Sequence, residues 1–231
     1  MLALKQALSL VSTKSSSSSS SWSPVDESSL EAWYQKGVGI TLDPGVSRWD
    51  DSSSNGNTMA QNTADNQPSY ADGILTFTAT ETDYLILSGA DITLADTFTI
   101  GVRLNITSAG GIILGDNTED GEFIKVFSST KLRIKIDNAT AVDIQLDSGS
   151  LLASESYMVL TRAVDTDVIT LHWNGVAQVD TETMTGTSNI DSIGVRKTNL
   201  NPYDGTIREI QIYSSTSADL TANVNTRLAS L

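Results

Sequence analysis

Apolar and polar residues alternate along most of the chain beyond residue 30. The longest alternating run spans 98–106, where Phe, Ile, Val, Leu and Ile stand at every second position. A period of two predicts a strand with one dry face and one face towards water. Further strand-like segments, alternating or rich in β-branched and aromatic residues, lie at 74–78, 84–87, 111–114, 123–127, 132–136, 142–146, 157–161 and 207–213. Turn-forming residues separate these segments, so the pattern predicts an all-β, antiparallel sandwich or barrel.

A β-hairpin is predicted over residues 168–179. Asn174 and Gly175 lie between two strand-like arms. Both central positions of a type I′ turn need a positive φ, which Asn and Gly tolerate best. The sequence therefore places a tight two-residue turn at this point.

The last segment of the chain predicts an amphipathic helix. Leu220, Val224, Leu228 and Leu231 recur at spacings of four, four and three, and Ser217 stands where an N-cap is needed. We expect this helix to close one end of the sandwich.

The N-terminal segment predicts a docking arm over residues 1–14. Leu4, Leu8 and Val11 fall on one face of a helix, and a frayed terminus is the alternative. A signal peptide is disfavoured because Lys5 lies inside the apolar segment rather than before it.

A serine-rich linker is predicted over residues 15–29. Its unbroken serine run offers no apolar surface to offset the entropy lost on ordering. The charges within residues 1–29 sum to zero, so the full formal charge of −14 lies on residues 30–231, the predicted sandwich.

Composition excludes several classes of protein. The chain has 231 residues, 39% of them hydrophobic, no cysteine, and one histidine. The strong negative charge disfavours binding to nucleic acids, which requires cationic surface, and to anionic membranes. No segment is long and apolar enough to cross a bilayer. Without cysteine, neither disulfides nor thiolate metal sites can form.

Several segments in sequence order resemble the concanavalin A-like lectin/glucanase superfamily, and specifically its laminin-G-like branch. They are 30–34, the Trp, Asp and Ser-Ser-Asn-Gly-Asn loop of 46–57, 84–87 followed by 98–100, the aromatic-Asn-Gly-Val hairpin of 171–176, and the closing 205–213 with the C-terminal helix. This resemblance implies a jelly-roll sandwich of two antiparallel sheets over residues 30–231. The fold hosts lectins, adhesion modules, glycosidases and viral structural proteins, so it does not decide the function.

The sequence predicts no catalytic residues. The glucanases of this superfamily carry a Glu-x-Asp-x-x-Glu run, which would supply the paired carboxyl groups of a retaining glycosidase, and this chain lacks it. The acidic cluster at 116–122 contains glycine and predicts a solvated turn. A nucleophile elbow and a phosphate-binding loop are also missing from the sequence.

A calcium site is a weak alternative at the loop that follows Trp49. Asp50, Asp51, Ser53, Asn55 and Asn57 offer the oxygen ligands that Ca²⁺ prefers. No bidentate Glu ends the loop, so an Asx-rich turn whose side chains bind local backbone is the favoured interpretation, with no metal or other cofactor.

Aromatic and histidine side chains give few indications of a binding site. On the predicted strand before the hairpin turn, Trp173 falls on the apolar face and His172 on the opposite one, which predicts a core tryptophan and a solvated histidine. Tyr70 and Tyr203 could stack on a sugar ring if exposed, although packing within the sheets or loops is favoured.

The chain as a whole, with its predicted arm, serine-rich linker and acidic sandwich, resembles accessory structural proteins of tailed bacteriophages of the marine and cyanobacterial type. This resemblance implies a non-enzymatic virion protein, for capsid decoration or attached to the tail or fibre. The arm, through Leu4, Leu8 and Val11, would bind other virion proteins, and the sandwich would face outwards, towards a host-surface glycan among other partners. The edges of the predicted strands permit monomers and homo-oligomers alike. The alternative is a secreted or surface lectin that binds carbohydrate.

Overall fold

The computed structural model describes residues 22–118, 122–137, 139–152 and 154–231. Two short 3-10 helices lie at Pro24–Asp26 and Ala64–Asn66, and helix α1 spans Ala218–Ala229. The strands are β1 (Leu30–Tyr34), β2 (Ile40–Leu42), β3 (Val46–Trp49), β4 (Met59–Ala60), β5 (Ser69–Ala71), β6 (Ile74–Phe77), β7 (Leu85–Leu87), β8 (Ile92–Leu94), β9 (Phe98–Ile106), β10 (Ile112–Gly115), β11 (Phe123–Val126), β12 (Lys131–Lys135), β13 (Val142–Gln145), β14 (Glu155–Arg162), β15 (Val168–Trp173), β16 (Val176–Thr183), β17 (Ser188–Ile190), β18 (Ser192–Ile193) and β19 (Gly205–Tyr213). Every segment in which the sequence predicts a strand contains one.

Two antiparallel sheets form the sandwich, as the sequence predicts. The first sheet has the order β16-β15-β14-β9-β19-β6-β5, and β1 pairs with β19 outside this order. The second sheet has the order β13-β12-β11-β10-β18-β7-β4-β3-β2, and β8 pairs with β17 in a separate two-stranded ribbon. The fold is a jelly roll of the concanavalin A-like type, in which residues distant in sequence meet at the sheet edges.

The main core lies between the two sheets. Strand β9 is central to the first sheet, and its Ile100 and Val102 lie opposite Leu160 and Met158 of β14. These four side chains are essentially fully buried, because alternate residues of each strand point towards the second sheet. The apolar residues at every second position of β9, which predicted the strand, are therefore the residues that point into the core.

Helix α1 packs on the outer face of the first sheet, which corrects the expectation that it closes one end of the sandwich. Ser217 caps the helix, since its hydroxyl accepts a hydrogen bond of 3.0 Å from the backbone N–H of Leu220. The apolar stripe of the helix then covers a second apolar cluster, separate from the main core. Its buried members are Leu30, Trp33, Val159, Tyr213, Leu220, Val224 and Leu228.

Gly101 makes this close packing possible. It lies on the outer face of β9, and a Cβ atom there would stand 2.5 Å from Val224 Cγ1 and 3.1 Å from Leu228 Cδ1. Thr99, two residues earlier on the same face, is also buried, and its hydroxyl donates a 2.8 Å hydrogen bond to the carbonyl of Ser215, just before the helix. The outer face of β9, which the alternation predicted to be wet, is therefore dry where the helix crosses it.

Part of the predicted linker is packed against the sandwich. Trp22 contacts the cluster under helix α1, and its indole Nε1 donates a 2.9 Å hydrogen bond to Glu27 Oε1. A 3-10 turn follows, in which Asp26 accepts from the backbone N–H of Ser23. An aromatic side chain and local hydrogen bonds thus hold residues 22–29 against the sandwich. The serine-rich composition of the segment did not predict this packing. Residues 1–21, with the predicted arm and its Leu4, Leu8 and Val11, lie outside the described residues.

Within the described part of the chain, no helix combines the length and hydropathy required to cross a membrane.

Candidate functional site

The predicted hairpin is confirmed and anchors the candidate site. Asn174 and Gly175 have φ angles of 50° and 80°, as a type I′ turn requires. Asn174 Oδ1 accepts a 3.0 Å hydrogen bond from the backbone N–H of Tyr157, and its Nδ2 donates to Ser156 Oγ at 3.3 Å. The turn that joins β15 and β16 is therefore fixed against the neighbouring strand β14.

A polar groove, here called the hairpin groove, lies between this turn and the loop that leads from β13 to β14. Its volume is about 370 Å³. Trp173 supplies an aromatic wall, with 8% of its surface exposed. The prediction that Trp173 packs in the core is confirmed, and the structure adds that the same side chain borders the groove. The groove is lined by Asp147, Ser148, Gly149, Ser150, Ser154, Ser156, Trp173, Asn174, Val176 and Gln178.

Two strands at the edges of opposite sheets hold the groove in shape. The backbone N–H of Asp147 donates to Gln178 Oε1 at 2.9 Å, and the carboxylate of Asp147 accepts from the backbone N–H of Val179 at 3.1 Å. Further along, Asp180 Oδ2 accepts from the backbone N–H of Gln145 at 2.7 Å. These reciprocal bonds use strand-edge N–H groups that would otherwise face water. They fix Asp147 and Gln178 before any ligand arrives.

The fixed side chains retain capacity for further hydrogen bonds. A carboxylate offers about four lone-pair positions, so Asp147 can still accept from hydroxyl groups. Gln178 Nε2 donates one of its two N–H groups to the carbonyl of Val176 at 2.8 Å, which leaves the second for a ligand. Ser148 and Ser154 are exposed on the rim of the groove. The site thus combines an aromatic surface with convergent hydroxyl, amide and carboxylate groups. This arrangement suits a small polyhydroxylated ligand.

Sequence reasoning missed most of this groove. The Asp-Ser-Gly-Ser stretch that begins at Asp147 signals a turn. Its partner Gln178 lies 31 residues away. Only the meeting of the two sheet edges brings the residues together.

His172 lies in a second groove, which corrects its prediction as a solvated side chain. It is half-buried beside helix α1, because the helix covers the outer face that the sequence pattern assigned to water. Burial lowers the pKa of His172. The groove has a volume of about 520 Å³ and is lined by His172, Gly175, Thr216, Ser217, Ala218, Thr221, Ala222 and Asn225. No carboxyl group stands among these described lining residues, so His172 lacks the acid partner of a catalytic triad.

The loop proposed for calcium forms an Asx-rich turn, the interpretation that the sequence favours. Asp51 Oδ1 accepts from the backbone N–H groups of Trp33 and Ser53, at 2.9 and 2.8 Å. Asp51 Oδ2 accepts from Ser53 Oγ and from the backbone N–H of Asn57, at 2.6 and 3.0 Å. Asn55 Nδ2 donates to the carbonyl of Leu30 at 2.9 Å. The loop side chains therefore tie β1 in place.

Asp50 is also engaged with protein groups. Its Oδ1 accepts from Arg48 Nε at 2.5 Å and from Thr58 Oγ1 at 3.3 Å. Across the residues that the structure describes, no cluster of three or more histidine, aspartate or glutamate side chains could hold a metal ion.

The acidic cluster at 116–122 is buried at both ends, which corrects its prediction as a solvated turn. Asp116 and Glu122 are 1% and 5% exposed, and Asp191 is buried beside them. Burial, followed by the charge of Asp116, raises the pKa of Glu122 to about 7. Burial is also the main cause that raises the pKa of Asp191 to about 6. Pairing between β10, β11 and β18 buries these carboxyl groups. The local sequence does not predict this burial, because β18 is distant along the chain from β10 and β11.

The tyrosines considered for sugar stacking pack within the protein. Tyr203 is fully buried, and its hydroxyl donates a 2.8 Å hydrogen bond to the carbonyl of Asn105. Its ring meets Phe77 edge to face. Tyr70 is partly buried against the main core.

Two of the solved structures that this chain resembles share its architecture. A Trypanosoma rangeli sialidase in complex with sialic acid matches with a TM-score of 0.57 and 16% identity, covering 89% of this chain and 33% of that chain. A native heptameric SAP-like pentraxin from Limulus polyphemus matches with a TM-score of 0.50 and 13% identity, covering 63% of this chain and 75% of that chain. The carbohydrate-binding module CBM40 of the Ruminococcus gnavus IT-sialidase matches with a TM-score of 0.45 and 16% identity, covering 57% of this chain and 84% of that chain.

The chain spans one third of the sialidase's length, and at these identities the likeness concerns the fold. No curated protein matches the sequence significantly. The laminin G family model described as the concanavalin A-like lectin/glucanases superfamily matches residues 78–219, more than half of the chain. The chain therefore belongs to the laminin-G-like family of the concanavalin A-like lectin/glucanase superfamily.

Proposed function

We propose that this protein is a non-catalytic carbohydrate-binding module whose site is the hairpin groove. The observation that carries the proposal is the pairing of Trp173 with side chains already fixed by the sheet edges. A sugar ring has an apolar face that can contact the small exposed part of the Trp173 indole, and hydroxyl groups for Asp147 and Gln178. Rigid partners lose little entropy on binding, which favours affinity.

Binding rather than hydrolysis fits the ionisable groups of the site. A glycosidase of the usual kind needs two carboxyl groups that flank the scissile bond. Among the described lining residues of the groove, Asp147 is the one carboxylate. The pair formed by Asp116 and Glu122 is buried and lies outside this lining. We therefore assign no hydrolytic role to the groove.

Glycan-array binding with a blocked variant tests the proposal. Ser148→Trp places a bulky ring on the rim of the groove, and we expect it to abolish glycan binding at unchanged melting temperature. Thr166→Trp is the matched control, because Thr166 is exposed in the loop at the other end of β15. Binding that survives Ser148→Trp, or wild-type protein that binds no glycan, would contradict the proposal.

The virion role inferred from the sequence stays part of the proposal as the setting of this module. In that setting residues 1–14 anchor the protein to a capsid or tail, and the sandwich presents its groove to a host-surface glycan. Many copies on one particle would add avidity to weak single contacts.

A further inference from the structure

The hairpin groove has an electrostatic character that selects among glycans. Of its described lining residues, only Asp147 is ionisable, and no lysine or arginine stands among them. An anionic group placed there would lose hydration without gaining a cationic partner. Removal of a charge from water is unfavourable when no opposite charge stands beside it.

Two arginines of the first sheet, Arg103 and Arg208, do not offset the negative charge of the groove. Arg103 and Arg208 both bind Glu155, at 2.9 and 2.8 Å. Glu155 alternates with Ser156 along β14, so it points away from the face that lines the groove. The two cations therefore lie on the outer side of the first sheet.

The charge of the whole protein acts in the same direction. A formal charge of −14 repels anionic ligands during their approach, and the effect weakens as salt rises. Hydroxyl groups carry no such penalty, and they can donate to the carboxylate of Asp147 in a charge-assisted hydrogen bond.

We propose that the hairpin groove binds glycans that lack carboxylate and sulfate groups, and that Asp147 rejects their sialylated or sulfated counterparts. This inference rests on the proposed function, because it names the ligand class of the same groove. It separates this groove from any site built to recognise an acidic sugar, where a cationic side chain would meet the anion.

An array of neutral oligosaccharides and their sialylated and sulfated counterparts tests this inference, with dissociation constants measured by calorimetry for each bound pair. We expect the anionic member of a pair to bind at least about tenfold more weakly at low salt, and the difference to shrink in 0.5 M NaCl. Asp147→Asn keeps an oxygen that can accept from Val179. Asp147→Asn should therefore reduce the difference in dissociation constant between the neutral and the anionic glycan of a pair. The control Asp165→Asn makes the same charge change in the loop between β14 and β15 and should leave that difference unchanged.

The outcomes separate the two proposals. Equal or tighter binding of the anionic members would overturn the selectivity while leaving glycan binding in place. A selectivity unchanged in Asp147→Asn would overturn the role of Asp147. The absence of binding to every glycan on the array would overturn the proposed function itself, and the selectivity with it.

Discussion

Arg227 of helix α1 donates two hydrogen bonds to Glu209, a β19 residue with no exposed surface. The two bonds measure 2.5 and 2.9 Å. Gln211 Nε2 also donates to Glu209, at 2.8 Å, and the guanidinium of Arg227 lies 4.7 Å from the centre of the Trp33 ring. A charged pair thus fixes the register of the helix on the outer face of the first sheet.

Loss of one partner of this pair should destabilise the fold. We expect Arg227→Met to lower the free energy of unfolding by about 3 kcal/mol, because it leaves the Glu209 carboxylate buried without a cation. The double variant Arg227→Met/Glu209→Leu should recover most of the loss, since neither charge is then stranded. Urea denaturation of both variants checks this. A double variant no more stable than the single one would show that the pair is not the cause.

Gly101 is the next test of helix packing. We expect Gly101→Ala to cost about 1–3 kcal/mol, because its methyl group would overlap Val224 and force helix α1 away from the sheet. Gly89→Ala is the control, since a Cβ atom at Gly89 has no neighbour within 4 Å. Thermal melting measures both. Equal melting temperatures for the two variants would show that close packing of the helix on Gly101 does not contribute to stability.

The buried carboxyl groups predict an unusual pH dependence. Burial raises the pKa of Glu122 from 4.5 to about 7 and that of Asp83 from 3.8 to about 6. Between about pH 4.5 and 7 the folded protein therefore binds more protons than the unfolded chain, and stability falls as pH rises. We expect the melting temperature to be about 2–4 °C higher at pH 5 than at pH 8.

A matched variant isolates the contribution of Glu122. Glu122→Gln removes the titration of this carboxyl group and should flatten part of the pH dependence, whereas the exposed control Asp65→Asn should not. A melting temperature that rises between pH 5 and pH 8 would contradict the predicted effect of these buried carboxyl groups.

The Asx-rich turn predicts the response to calcium. Within the part of the chain that the structure describes, Asp51 accepts four hydrogen bonds from protein groups, so we expect millimolar CaCl₂ to leave the melting temperature unchanged. Asp51→Ala should cost about 1–3 kcal/mol, since it leaves backbone donors without their acceptor. Differential scanning fluorimetry with CaCl₂ or EDTA checks both. If calcium raised the melting temperature of the wild-type protein but not that of Asp51→Ala, the loop would be a calcium site after all.

Deletion of residues 1–14 tests the predicted anchor. If Leu4, Leu8 and Val11 dock the protein on a particle, the truncated chain should keep its melting temperature and be missing from purified particles. Immunoblotting and electron microscopy of the particles measure incorporation. Normal incorporation of the truncated protein would refute the anchoring role, and the carbohydrate-binding proposal would be unaffected.

Local sequence by itself determined the elements of this protein. Alternation predicted β9, Asn174 and Gly175 predicted the hairpin turn, and Ser217 with the leucine stripe predicted helix α1, because each signal depends on residues within one strand, turn or helix. Tertiary structure decided where these elements meet. It laid α1 across Gly101, buried Glu122 among strands, and brought Asp147 to Gln178. These contacts join segments distant along the chain, so no local period or propensity records them, and the candidate site exists only because two sheet edges come together.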